Sequence, residues 1–320
     1  MNVIDVFNGD ADGICALIQL RLDTPKDATL VTGIKRDIKL LEQVNPVQGD
    51  EITVLDISLA KNSHDLSRIL QAGARVYYVD HHMPGDIPEH PNLTAIIDTD
   101  PNTCTSLLVD KQLQGRYREW AVTAAFGDNM ISSAEEGAKT LNISADDLEK
   151  LKLLGVCINY NGYGSCIDDL HFAPQELYQE LIRYPSPFDF ISDDQSAFEQ
   201  LRDGYLGDLA SARLIKPEFE NDAIAVVILP DAPWSRRISG VYGNQLANEF
   251  PGRAHAILSY NRQSGYLVSV RAPMNNKRGA DELCSSFPSG GGRKGAAGIN
   301  HLPIDELQTF IKRFSEQYPG

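Results

Sequence analysis

Short apolar runs separated by helical periodicity dominate the first hundred residues of the chain. The runs at 2–7, 29–32, 51–55, 74–79 and 94–97 read as strands, and apolar spacings of three and four predict helices at 14–22, 36–43 and 63–71. This alternation predicts βαβ units and a parallel sheet. From about 104 to 183 the pattern is mostly helical, with segments at 104–114, 117–126, 145–157 and 175–182. Ser144-Ala145-Asp146-Asp147 ahead of the third segment is a capping-box variant. Pro185-Ser186-Pro187 and Ser192-Asp193-Asp194 mark a linker, and a long helical pattern follows at 195–214. The remainder has strands at 223–229, 254–260 and 265–271, helices near 239–249 and 304–316, and a Gly-rich loop at 289–298. The expected organisation is a first domain over 1–190, a linker with a helix over 191–221, and a second, smaller α/β domain over 222–320.

Three of the early strands run straight into acidic residues. Val3–Phe7 leads to Asn8-Gly9-Asp10-Ala11-Asp12-Gly13, Ile52–Leu55 to Asp56, and Ala74–Val79 to Asp80-His81-His82. Residues just past the strands of a parallel sheet gather on its carboxyl edge. Asp10, Asp12, Asp56, Asp80, His81 and His82 are therefore expected to converge. So many carboxylates repel one another unless a cation sits among them, which predicts a metal site. Mixed nitrogen and carboxylate ligands favour a first-row divalent ion such as Mn2+ over Mg2+ or Ca2+. The Asn-Asp-Asp-Gly spacing copies the start of an EF-hand, but Gln19 stands where that loop needs a bidentate Glu, so a calcium loop is excluded. The plainer alternatives are a helix-capping Asx turn at Asp10 and an N-cap at Asp56. Asp98, Asp100 and Asp128 are further acidic candidates that residue type alone does not rank.

Composition narrows the partners. The chain has 320 residues, 42% hydrophobic and 23% charged, with a formal net charge of −15. A surface that coats long nucleic acid needs a basic face, so short phosphorylated substrates fit better. The five cysteines form no C-x-x-C pair, which suits reduced thiols. No apolar stretch reaches the ~20 residues of a membrane span, and the first residues lack a basic leader, so a cytoplasmic, membrane-free protein is expected.

The second chemical signal is Ser289-Gly290-Gly291-Gly292-Arg293-Lys294-Gly295-Ala296-Ala297-Gly298. Successive glycines let backbone N–H groups hold an anion, with Arg293 and Lys294 adding charge. A flexible hairpin is the plainer alternative. The G-K-[ST] of a P-loop is missing. Arg271, ending another apolar run, is a candidate phosphate ligand or a surface charge.

Together these motifs resemble the DHH phosphoesterase superfamily, in its two-domain form with a DHH domain followed by a DHHA1 domain. The resemblance rests on Asp10-Ala11-Asp12-Gly13, Asp56, Asp80-His81-His82, Gly127-Asp128 and Gly290 to Gly298, and covers essentially the whole chain. It implies an α/β protein whose first domain is a parallel sheet with a helical portion, and whose active site lies between the domains. It further implies two Mn2+ ions, with Mg2+ or Co2+ as substitutes, held by Asp10, Asp12, Asp56, His81 and Asp128, with Asp56 as the bridge. Asp80 and His82 would flank the metals or face substrate, so that Asp80, His81 and His82 form the catalytic group. Arg271, Gly290, Gly291, Gly292 and Arg293 would bind substrate. The chain departs from the family pattern at Val6, Asn8 and Arg293. The implied activity is phosphodiester hydrolysis of short oligonucleotides or dinucleotides. Alternatives are a phosphatase or pyrophosphatase acting on a small phosphorylated nucleotide, or a nucleotide-binding protein without catalysis. A homodimer is left open.

Overall fold

The computed structural model describes residues 1–261 and 263–319. The chain forms two compact units, one of Met1–Gly162 with Cys166–Arg202, the other of Tyr163–Ser165 with the chain from Asp203 onward.

In the first unit β1 (Val3–Phe7), α1 (Ala11–Asp23), β2 (Thr29–Val31), β3 (Glu51–Leu55), α2 (Leu59–Gln71), β4 (Arg75–Asp80) and β5 (Leu93–Ile97) alternate as the apolar runs predict. Among the described residues the strands form one parallel sheet in the order β2-β1-β3-β4-β5. One face is covered by α2 and a 3-10 turn at Leu40–Gln43, whose Leu40, Leu41, Leu59, Leu66 and Ile69 pack with Val54, Val76 and Tyr78. Each such buried side chain contributes ~1.5–3 kcal/mol relative to exposure. On α1, Ala11 through Gln19 are all buried, and a helix buried all round needs partners on several sides. Besides the sheet, they come from α3 (Thr105–Gln112), α4 (Arg118–Gly127) and α6 (Ala145–Gly162).

Helices α5 (Ile131–Ala138), α7 (Pro174–Leu181) and α8 (Pro187–Ser192) complete the helical portion, and α9 (Phe198–Arg213) has its first residues in this unit and the rest, from Asp203, in the second. Ser144 caps α6 as expected, its hydroxyl accepting from the Asp147 N–H at 3.1 Å and donating to the Asp147 carboxylate at 2.8 Å. The helices α4 and α6 approach closely at two glycines. A Cβ on Gly155 would lie 2.0 Å from the Thr123 carbonyl, and one on Gly127 would lie 2.5 Å from the Ala11 Cβ and 2.7 Å from the Gly155 carbonyl. Only glycine fits, and Asp128 is the residue after that contact.

The second unit contains β6 (Phe219–Glu220), β7 (Ile224–Ile228), α10 (Pro233–Glu249), β8 (Ala254–Tyr260), β9 (Gly265–Arg271), α11 (Ala280–Ser285), β10 (Gly290–Gly292), β11 (Ala296–Pro303) and α12 (Leu307–Gln317). Its sheet runs β10-β11-β9-β8-β7-β6, with only β7 and β8 parallel among the described residues. Leu283 and Cys284 of α11, with Phe287 just beyond it, and Phe310 and Phe314 of α12 pack with Val226, Leu258, Val268 and Ile299.

Two local expectations differ from the structure. The helix expected at 36–43 is reduced to the turn at Leu40–Gln43. The preceding segment instead folds back, the Lys35 N–H donating to the Gly162 carbonyl and the Ile34 N–H to the Asp37 carboxylate. Tertiary bonds override the weak local periodicity there. The Gly-rich loop is a β10–β11 hairpin, Gly290, Gly291 and Gly292 pairing with Ile299, Gly298 and Ala297.

Candidate metal centre

Strand register brings the acidic residues together. Phe7, Leu55 and Val79 are partners across β1, β3 and β4, so Asn8, Asp56 and Asp80 leave the sheet side by side. Asp56 does so with φ at +57°, a left-handed conformation that Asp tolerates better than most residues. A non-glycine residue held there points to a site whose surroundings over-determine it. Asn129, following Asp128, is likewise at φ +59°.

His81 organises the cluster. Its Nδ1 lies 2.8 Å from the Thr103 carbonyl, which can only accept, so Nδ1 carries a proton and Nε2 is the nitrogen whose lone pair a metal would take from the neutral ring. That Nε2 faces Asp56 Oδ1 at 3.4 Å, Asp12 Oδ2 at 3.8 Å and Asp128 Oδ2 at 3.8 Å. Three carboxylate oxygens thus surround Nε2, in two overlapping groups with metal-ligand spacing, Asp12-His81-Asp128 and Asp56-His81-His82. Ligands ~2.1 Å from an ion sit ~3.0–3.5 Å apart at right or tetrahedral angles, close to the spacing found. Imidazole nitrogen with carboxylate oxygens is also the donor set that divalent first-row ions take. The residues fit such an ion.

Backbone N–H groups and side chains hold the carboxylates in place. Asp12 accepts from the Ser106 N–H at 2.7 Å and the Thr105 N–H at 2.8 Å, at the amino end of α3. Asp10 Oδ1 caps α1, accepting from the Asp12 and Gly13 N–H groups at 3.1 Å each. Asp80 Oδ1 accepts from His82 Nδ1 at 2.7 Å, which fixes the half-buried His82 ring edge-on to His81. Asp80 Oδ2 and Asn8 Oδ1, at the same sheet edge, are buried with no hydrogen-bond partner among the described residues.

Protonation follows burial and neighbouring charge. Burial raises the Asp12 carboxyl, with His81 and the Ser106 N–H opposing and Asp128 and Asp10 reinforcing. Burial, then Asp10 and Asp12, push Asp56 well above the ordinary carboxylate range. Asp80 behaves oppositely: burial raises it, but the His82 hydrogen bond and the charges of His82 and His81 outweigh that and hold it low. Burial pushes the neighbouring Cys15 and Cys104 thiols far up, so neither serves as a thiolate nucleophile.

The structure thus groups Asp12, Asp56, His81, His82 and Asp128, with Asp80 bonded to His82 and the buried Asp10 joined to Asp128 through Lys35. Asp98 and Asp100 are exposed and only close local turns. Two residues of the cluster escaped the sequence reading. Lys35, just past β2 on the same edge, reaches Asp10, Asp128 Oδ1 at 3.1 Å and Asn159 Oδ1 at 3.0 Å. Asn159 is buried within α6, and a polar residue inside an otherwise apolar helical stripe was the available signal.

The substrate-binding candidates lie in the second unit. Arg271 is buried and is not a surface charge. It pairs with Ala296 across the sheet, and its N–H groups meet Asn244, Ser269, Val270, Gly240 and Tyr163. Five donors meet five acceptors. Gly290, Gly291 and Gly292 form β10, and Arg293 and Lys294 are exposed at the hairpin turn.

Solved structures share this architecture. RecJ from Thermus thermophilus, in complex with Mn2+, matches 99% of this chain with TM-score 0.61 and 18% identity, over 52% of its own length. This chain therefore spans about half of that protein. An exonuclease RecJ bound to manganese matches 99% of the chain and 91% of its own, with TM-score 0.61 and 15% identity. The pGpG-specific phosphodiesterase PggH from Vibrio cholerae matches 99% and 98%, with TM-score 0.55 and 14% identity. The chain has the DHH/DHHA1 fold. No family model and no curated protein matches it in sequence. Its first unit holds the parallel five-strand sheet and its second the mixed sheet, consistent with the RecJ architecture. No helix among the described residues is long and apolar enough to cross a membrane.

Proposed function

We propose that this DHH-fold chain is a divalent-metal-dependent phosphoesterase, with Mn2+ as its ion and short nucleotides or dinucleotides as substrates. The observation that carries this reading is the His81 Nε2 lone pair facing the carboxylates of Asp12, Asp56 and Asp128. The manganese in the RecJ structures and the pGpG specificity of PggH support the choice of ion and substrate class.

Asp12, Asp56, His81 and Asp128 would hold the ion. When bound there, a divalent cation supplies positive charge to the phosphoryl oxygens and acidifies an attacking water. The Thr103 carbonyl keeps His81 in the ligating tautomer, as metal-binding histidines require. Asp80 holds His82 by Nδ1, leaving its second nitrogen as the group that exchanges a proton with the leaving oxygen. In the second unit the exposed Arg293 and Lys294, beside the Gly290–Gly292 strand, are the proposed anion-binding group. Arg271 braces that hairpin, because its N–H groups are already matched.

The test is hydrolysis of linear dinucleotides, cyclic dinucleotides, nucleoside bisphosphates and pyrophosphate with Mn2+, Mg2+ or no metal. The expected result is Mn2+-dependent cleavage of linear dinucleotides, lost in Asp12→Asn. Cleavage of pyrophosphate or bisphosphates alone would replace the substrate class, and no turnover with either ion would overturn the reading.

A further inference from the structure

Lys35 occupies a position that chemistry would otherwise give to a metal. Its ammonium has three N–H groups and meets oxygens of Asp10, Asp128 and Asn159, the last two at 3.1 and 3.0 Å. Its side chain is only 21% exposed, and the carboxylates it bridges are 3% and 6% exposed. One positive charge therefore sits between two largely desolvated negative ones.

Two consequences follow for the ligand count. Both Asp10 oxygens carry partners, Oδ1 capping α1 and Oδ2 pairing with the Lys35 ammonium, whereas the Asp12 oxygens accept from the neutral Ser106 and Thr105 N–H groups. The two groups of side chains with metal-ligand spacing, Asp12-His81-Asp128 and Asp56-His81-His82, both need His81. With Nδ1 committed to Thr103, His81 offers one lone pair, which serves one ion at a time. His82 Nδ1 is in turn held by Asp80.

We propose that the Lys35 ammonium is a built-in cation standing in place of a second metal, so that the centre takes one divalent ion per chain. This rests on reading the cluster as a metal centre. Lys35 neutralises Asp10 and the outer oxygen of Asp128, and leaves Asp128 Oδ2 turned toward His81. A fixed lysine charge does not exchange with solvent, so its share of the positive charge at the centre is independent of metal supply.

The test is to count manganese bound to the full chain after chelation, Mn2+ reloading and gel filtration, with its electron paramagnetic resonance spectrum. Wild type should retain one ion with the hyperfine pattern of an isolated Mn2+. Lys35→Met, confirmed as folded by circular dichroism, should retain two and show exchange coupling, because Asp10 and Asp128 then lose the ammonium that neutralises them. Lys35→Arg, which keeps the charge, should retain one. Two coupled ions in wild type, or one ion in folded Lys35→Met, would overturn the lysine inference while leaving the metal centre standing. No retained manganese in any of the three would overturn the metal centre itself, and this inference with it. Should Lys35→Met not fold, the wild-type count still decides.

Discussion

His81 and Thr103 are joined by a 2.8 Å hydrogen bond from the ring Nδ1 to the backbone carbonyl, and this bond sets the direction of the whole site. A backbone acceptor cannot be lost by side-chain variation, so the tautomer of His81 is fixed by the path of the chain ahead of α3. The neighbouring His82 is held differently, by the Asp80 side chain. The two adjacent histidines are thereby given different duties, ligand and proton carrier.

That division predicts the behaviour of His82→Gln. Manganese binding should be unchanged, because His81 keeps its lone pair and its carboxylate neighbours. Turnover should fall by about 10²–10⁴, the usual contribution of a positioned acid or base. Metal titration and kcat on the same preparation check this, and a parallel loss of metal would show His82 to be a ligand instead.

Asp56→Asn separates function from stability. The folded state holds the Asp56 proton more tightly than the unfolded chain does, because burial and then Asp10 and Asp12 raise its carboxyl. In metal-free protein that stabilisation is present below the ordinary carboxylate value near 4 and is lost as pH rises above it. The amide cannot ionise, so Asp56→Asn should melt a few degrees above metal-free wild type at neutral pH. The gap should close toward pH 4 and when Mn2+ is added to wild type. Hydrolysis should vanish. Thermal melts across pH check the sign, and a variant less stable than metal-free wild type at neutral pH would contradict it.

Gly155→Ala tests the packing that aims Asp128. The new Cβ would lie 2.0 Å from the Thr123 carbonyl and 2.9 Å from the Gly127 nitrogen, so α4 or α6 must shift. Overpacking of this kind costs about 1–3 kcal/mol. Denaturant midpoints should report that loss, and Mn2+ affinity should fall because Asp128 follows Gly127. Unchanged stability and affinity would show that the helices yield without disturbing the site.

Much of this was legible in the sequence, and the reason is geometric. Apolar runs ending in Asp, with helices between them, leave little choice but a parallel sheet with the acids on one edge, and Asp12, Asp56 and His81 meet there. Asp128 was not legible from residue type, because a glycine contact between two helices turns it into the site. Lys35 was hidden by helical periodicity after it, and Asn159 by the apolar helix around it. The three glycines read as an open anion loop, yet cross-strand pairing with Ala297, Gly298 and Ile299 makes them a strand.

In the second unit His255 is buried on β8, and neither ring nitrogen has a hydrogen-bond partner among the described residues. Burial, then the Arg253 charge, push its pKa from 6.5 down to about 4. The unfolded chain binds the proton more readily, so stability present above pH 6.5 is lost as pH falls toward 4. The full loss is up to about 3 kcal/mol at ~1.4 kcal/mol per unit. His255→Leu should remove that acid sensitivity, and unfolding midpoints at pH 7 and pH 5 measure it. An equal acid loss in the variant would place the sensitivity elsewhere.

The most direct measurement is an anomalous difference map, recorded at the manganese edge, from crystals grown with Mn2+. A peak ~2.0–2.3 Å from His81 Nε2, and within bonding reach of Asp12, Asp56 and Asp128, is the result expected. Crystals with full manganese in the mother liquor and no peak among these four side chains would contradict the metal centre and the chemistry built on it.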